Sequence, residues 1–143
     1  MSTLIQMYVP GTPVSFRAKR DLVHAWRQKV GDVARKLVAE PIEEDDLVVR
    51  ITHFYRCPPR CDADNMSKPI CDALSRIAYF DDRQIVECTS RRIPLGRAFR
   101  LGGMPHELAV ALCEGDEFVY IQISRARMES WHIWNPQPAL AWT

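Results

Sequence analysis

The alternation of apolar and polar residues is clearest at 47–56. Leu47, Val49, Ile51, His53 and Tyr55 fall on one side, and Val48, Arg50, Thr52, Phe54 and Arg56 on the other. A period of two is that of a strand, and Pro58-Pro59 stops it. Residues 4–9 read as a shorter strand ended by Pro10-Gly11-Thr12-Pro13. Asp21 then stands as an N-cap for a helix over 21–39, with Leu22, Trp26, Val30, Val33 and Leu37 as its apolar stripe. A second helix is predicted over 68–78, burying Ile70, Ala73, Leu74 and Ile77. Strands follow at 84–93 and 118–124, separated by a loop over 94–105 with Gly and Pro. The order β-α-β-α-β-loop-β implies an α+β (mixed α/β two-layer) fold, a small mixed sheet with two main helices packed on one face.

Composition narrows the class. The 143 residues suffice for one core without disulfides or a structural metal, and no second domain or repeat is visible. The chain divides into a domain over 1–127 and a tail over 128–143 carrying Trp131, Trp134 and Trp142 among Pro136 and Pro138. No apolar run approaches the roughly 20 residues needed to cross a bilayer. The first residues lack a basic stretch followed by an apolar one, so a secretory leader is not expected. Five cysteines in no paired framework fit free thiols in a reducing, cytoplasmic setting. A four-ligand zinc site from Cys57, Cys61, Cys71 and Cys88 with His53 is disfavoured. Cys71 and Cys88 fall in elements predicted to be buried, where cysteine acts as a small hydrophobe.

Net charge is +1, but unevenly spread. Residues 50–100 hold ten Lys/Arg against six Asp/Glu, while 101–143 hold two against five. The basic middle third also holds the densest aspartates: Asp62-Ala63-Asp64-Asn65, then Lys68-Pro69-Ile70-Cys71-Asp72, then Asp81-Asp82-Arg83-Gln84. In an extended chain Asp62 and Asp64 point the same way, an arrangement that repels unless a cation intervenes; hard oxygens suit Mg²⁺ or Mn²⁺. The alternative is that they cap the helix and face water. Pro69 belongs to a first helical turn, so the amide end of that helix opens beside the aspartates and suits an anion. Lys68 and Asp72, four apart, are either a surface ion pair or an ammonium aimed at phosphate and oriented by Asp72. Asp81-Asp82 falls in a turn, where adjacent acids usually face solvent. A calcium loop counted from Asp62 fails at Met66, Ser67 and Ala73, and no phosphate-binding glycine loop is present.

Asp62-x-Asp64-Asn65-x-x-Lys68-x-x-x-Asp72-Ala73-Leu74, followed by Asp81-Asp82-x-Gln84, resembles the signature of the RusA family of Holliday junction resolvases. The resemblance implies a RusA-like endonuclease domain: a homodimeric, Mg²⁺-dependent endodeoxyribonuclease, with Mn²⁺ able to substitute. It would resolve four-way DNA junctions by symmetric paired nicks in recombination and repair, with no small-molecule organic cofactor. It assigns Asp62, Asp64 and Asp82 to the metal and Lys68 to catalysis, with Asn65, Asp72 and Asp81 in support. Arg17, Lys19, Arg20, Arg60 and Arg83 are the first candidates for DNA contact, with Arg56, Arg91 and Arg92 behind them. A nuclease of the same chemistry preferring flaps, or a non-catalytic DNA-binding scaffold on the same fold, are the alternatives. The modest net charge and the Trp-rich tail depart from what the family motif covers.

Overall fold

The computed structural model describes residues 3–58, 62–96 and 104–126; Arg60, Cys61 and the tail over 128–143 lie outside the described residues. Four strands form one sheet in the order β1-β4-β2-β3. They are β1 (Thr3–Pro10), β2 (Leu47–Tyr55), β3 (Ile85–Pro94) and β4 (Phe118–Arg125). β4 runs antiparallel to both β1 and β2, and β3 runs parallel to β2 along one edge. The helices are α1 (Arg20–Leu37), α2 (Ser67–Leu74) and α3 (His106–Glu114). None of the described helices is long and apolar enough to cross a membrane.

β2 is central, which is why the alternation there is not an inside–outside one. Both of its faces are covered, and only Arg50 is exposed among Leu47–Phe54. Leu47, Val49 and Ile51 join Met7, Val9, Val119, Ile121 and Ile123 on the face under α1 and α2. Phe54, Phe118 and Tyr120 turn to the other face, where Leu108 of α3 meets them. The two main helices do share one face, and the third helix, absent from the sequence reading, sits on the opposite one. Its HELAVALCE segment has no clear stripe, and Leu108 is its one fully buried residue.

Three expected details are corrected. Asp21 does not cap α1; the helix starts at Arg20 behind Lys19, and Asp21 lies inside the first turn. The buried stripe of α1 is Trp26, Val30 and Ala34 with Gly31, while Leu22 and Leu37 are exposed. Gly31 lies on this face under α2: a Cβ there would stand 3.4 Å from Ile77 Cδ1 and 3.8 Å from the Ala73 carbonyl, in ordinary contact. α2 ends at Leu74 rather than 78, since Arg76 adopts φ 70° and its amide donates to the Tyr79 carbonyl. The chain then reverses under Tyr79, which is fully buried.

Candidate active site

α2 and the two acidic turns that flank it carry the candidate residues. The first turn is not extended, contrary to the sequence expectation. The Asn65 amide donates to the Asp62 carbonyl at 3.0 Å, and Ala63–Asn65 form one turn of 3₁₀ helix. Ser67 Oγ donates to the Asp64 carbonyl at 3.1 Å, joining this turn to the start of α2. Buried Met66 anchors the junction, and Asp62 and Asp64 remain exposed on its outer side. Pro69 falls in the first turn of α2, as its missing amide requires.

The basic segment ahead of α1 is fastened to the same place. The Phe16 amide donates to the Asn65 carbonyl at 3.3 Å, so Arg17, Lys19 and Arg20 emerge exposed beside the acidic turn. The Arg17 guanidinium lies 5.6 Å over the Phe16 ring. Arg83 is exposed in the second turn, next to Asp82. Arg56 and Arg91 are partly engaged elsewhere: Arg56 Nε donates to the Gly115 carbonyl at 2.6 Å and Arg91 Nε to Thr52 Oγ1 at 3.0 Å.

The second turn is built around Gln84, a residue the sequence reading left without a role. Its Oε1 accepts the amides of Phe80 and Asp81 at 2.8 and 3.1 Å. Its Nε2 donates to the carbonyls of Ile42 and Asp45 at 2.9 and 3.2 Å. Asp81 accepts the Arg83 amide at 3.0 Å, completing a reciprocal capping box. Asp82 is thereby held outward at the head of β3.

Electrostatics show which groups meet. The Asp82 carboxyl is pushed above the ordinary range, first by the hydrogen bond it shares with Asp81, then by lost hydration and the negative charges of Asp81 and Asp72; Lys68 opposes the rise. Asp81 is held low, first by the Arg83 amide and then by the proton shared with Asp82. Lys68 Nζ stands 3.6 Å from Asp72 Oδ2. Asp82 therefore lies within the field of Asp81, Asp72 and Lys68, although it stands ten positions after Asp72 in the chain. The eight residues of α2 rise only about 12 Å, which keeps its two ends close enough for this.

Among the described residues, no three His, Cys, Asp or Glu side chains stand together as one ligand group for a metal. Asp62 and Asp64 occupy the turn before α2, and Asp82 occupies the turn before β3. The donor chemistry nevertheless fits a hard divalent cation. All three are exposed carboxylates, the oxygen donors such a cation takes, and the negative charges of Asp81 and Asp72 beside Asp82 are of the kind a cation relieves.

A cleft of about 700 Å³ opens between α1 and α2, lined by His24, Arg27, Arg35 and Arg76 with Asp72 at one side. The sequence reading missed His24 and these three arginines. They are dispersed along the chain, and only the packing of α1 on α2 gathers them.

A family model described as Endodeoxyribonuclease RusA matches residues 11–98. None of the curated proteins compared with the chain matches it. The matched span takes in α1, β2, both acidic turns, α2 and β3, well over half of the 143 residues, and the chain belongs to the RusA endodeoxyribonuclease family.

Proposed function

We propose that the protein is a Mg²⁺-dependent, structure-specific endodeoxyribonuclease that resolves four-way DNA junctions in the cytoplasm during recombination and repair. The observation that supports this reading is the exposed Asp62–Asp64 turn that leads into α2, where Lys68 stands 3.6 Å from Asp72, with Asp82 inside the field of that pair. A structural role gives little reason to hold exposed like charges together at that point. Asp62, Asp64 and Asp82 would hold Mg²⁺, which supplies activation of the attacking water and counter-charge for the phosphate.

The remaining work falls to this chain's own groups. Lys68, oriented by Asp72, presents an ammonium to the non-bridging oxygens as charge builds on them. Met66 caps α2 with no side-chain hydrogen bond, which leaves first-turn amides available to the same phosphate. Arg17, Lys19, Arg20 and Arg83 hold the flanking backbone from two sides. The cationic lining between α1 and α2 suits a further stretch of strand. One such site cuts one strand, so a two-fold junction calls for a homodimer with two sites.

Labelled four-way junctions, flaps and linear duplexes incubated with Mg²⁺ test the reading. Paired symmetric nicks on the junction, lost in Asp62→Asn, Asp64→Asn and Asp82→Asn while junction binding persists, are expected. Preferential cutting of flaps would overturn the junction assignment. Binding without cutting on every substrate by the unaltered chain would overturn the enzyme.

A further inference from the structure

Cys71 and Cys88 were expected to be separately buried, yet the structure sets them side by side. Their sulfurs stand 3.9 Å apart, although the residues lie 17 positions apart in the chain. Cys71 sits in the middle of α2 and is half-buried; Cys88 sits on the edge strand β3 and is exposed. A disulfide needs about 2.05 Å between sulfurs, so closing the gap asks each to move by about 1 Å, within reach of modest χ1 adjustments. The backbone on the α2 side is fixed, because Tyr79 Oη donates to the Cys71 carbonyl at 2.5 Å. The proposed cleavage chemistry uses neither thiol. Two thiols alone do not make a soft-metal site, and among the described residues no third His, Cys, Asp or Glu completes one.

We infer that Cys71 and Cys88 are an oxidisable dithiol, a modification site that hydroperoxides convert into an intrachain disulfide tying α2 to β3. This inference stands on the sulfur geometry and is independent of the nuclease reading.

The two sulfurs have different parts. Either sulfur can donate to the other; the contact holds the Cys88 thiol low, while the same contact and burial push Cys71 up. Cys88, the exposed sulfur of the pair, meets peroxide first: its thiolate attacks one oxygen of the O–O bond and becomes a sulfenic acid, while the other oxygen leaves with the Cys88 proton as water (an alcohol, for an organic hydroperoxide). Cys71 attacks that sulfur, the S–O bond breaks, and the departing hydroxide takes the Cys71 proton to leave as water. Two thiols lose two electrons in total and one peroxide gains them. The bond would join the helix that carries Lys68 and Asp72 to the strand that follows Asp82, fixing their separation.

The full-length chain with Cys57, Cys61 and Cys113 replaced by Ser is treated with hydrogen peroxide, alkylated, digested and read by mass spectrometry, with folding followed by circular dichroism. Expected are the loss of both alkylatable thiols, a Cys71–Cys88 linked peptide pair in a monomeric band on a non-reducing gel, and reversal by dithiothreitol. In Cys71→Ser, dimedone should capture a sulfenic acid on Cys88; in Cys88→Ser, Cys71 should stay unlabelled at the same dose. Full alkylation of both cysteines in the folded, peroxide-treated chain would overturn the inference, as would a bond joining two chains. Dimedone labelling of Cys71 in place of Cys88 would overturn the assigned order of attack.

Discussion

Truncating Gln84 to Ala tests how the second acidic turn is held. The side chain makes four hydrogen bonds, two accepted from the Phe80 and Asp81 amides and two donated to the Ile42 and Asp45 carbonyls. The accepting pair is exposed, and water can replace it at little cost. The donating pair is partly buried, where each bond is worth about 1 kcal/mol net. Gln84→Ala should therefore destabilise the fold by about 2 kcal/mol, and for a domain of this length the melting temperature should fall by roughly 7 °C. Gln84→Glu is the sharper variant, because its size is unchanged but it turns an acceptor oxygen toward two carbonyls. It should lose at least as much as Ala near neutral pH. Urea titration followed by circular dichroism gives the stability, and junction cleavage under strongly native conditions gives the effect on Asp82. Both variants should show a clear drop in kcat, because the Phe80 and Asp81 amides that Gln84 fixes set the position of Asp82. A Gln84→Glu protein with the unaltered urea midpoint and full cleavage would refute the reasoning.

Lys68→Ala should separate stability from catalysis: the ion pair with Asp72 is exposed, so the urea midpoint should shift by under about 0.5 kcal/mol, while cleavage falls at least tenfold. Gly31 should respond in opposite directions to two substitutions. Gly31→Ala has room against Ile77 and should stabilise by about 0.5–1 kcal/mol, whereas Gly31→Leu should cost about 1–3 kcal/mol by forcing α1 from α2; thermal melts decide both. Buried His53 is held below its ordinary range by burial, with Glu117 opposing and Arg92 adding to the fall. Its Nε2 lies 3.5 Å from Glu117 Oε2, and among the described residues neither ring nitrogen has a hydrogen-bond partner. The unfolded chain takes up the His53 proton first, so stability should decline as pH drops below about 6.5 toward the lower folded value. His53→Leu should flatten that decline in pH-dependent urea titrations.

Much of the sheet was legible because β2 and β4 are rich in β-branched and aromatic residues, and because Pro-containing turns follow β1 and β2, as at Pro10 and Pro58. The face of α1 was harder to place. Leu22 and Leu37 are apolar and correctly spaced, yet burial is set by where α2 packs, on the side of α1 that carries Gly31, a tertiary fact. α3 was missed because nine residues with one deeply buried side chain give too few turns to show a period. At the site, Pro69 announced the start of α2, and the chemical types of Asp62, Asp64, Lys68, Asp72 and Asp82 were plain from their spacing. The 3₁₀ turn at Ala63–Asn65 was not foreseen, because a hydrogen bond from Asn65 to the Asp62 carbonyl overrode the extended pairing that an Asp-x-Asp repeat suggests. Gln84 was visible as part of a motif, but its work depends on carbonyls some forty residues earlier. The same limit hid the Cys71–Cys88 contact, since the exposure of edge strand β3 is a property of sheet order.

Calorimetric titration of Mn²⁺ into the unaltered protein and into Asp82→Asn, run in parallel, bears most directly on the claim that carboxylates from both turns share a divalent ion. The account predicts binding to the unaltered chain that is lost or weakened at least tenfold in Asp82→Asn, with Asp62→Asn showing the same loss. Equal Mn²⁺ affinity in the unaltered and Asp82→Asn proteins, with both folded, would contradict it.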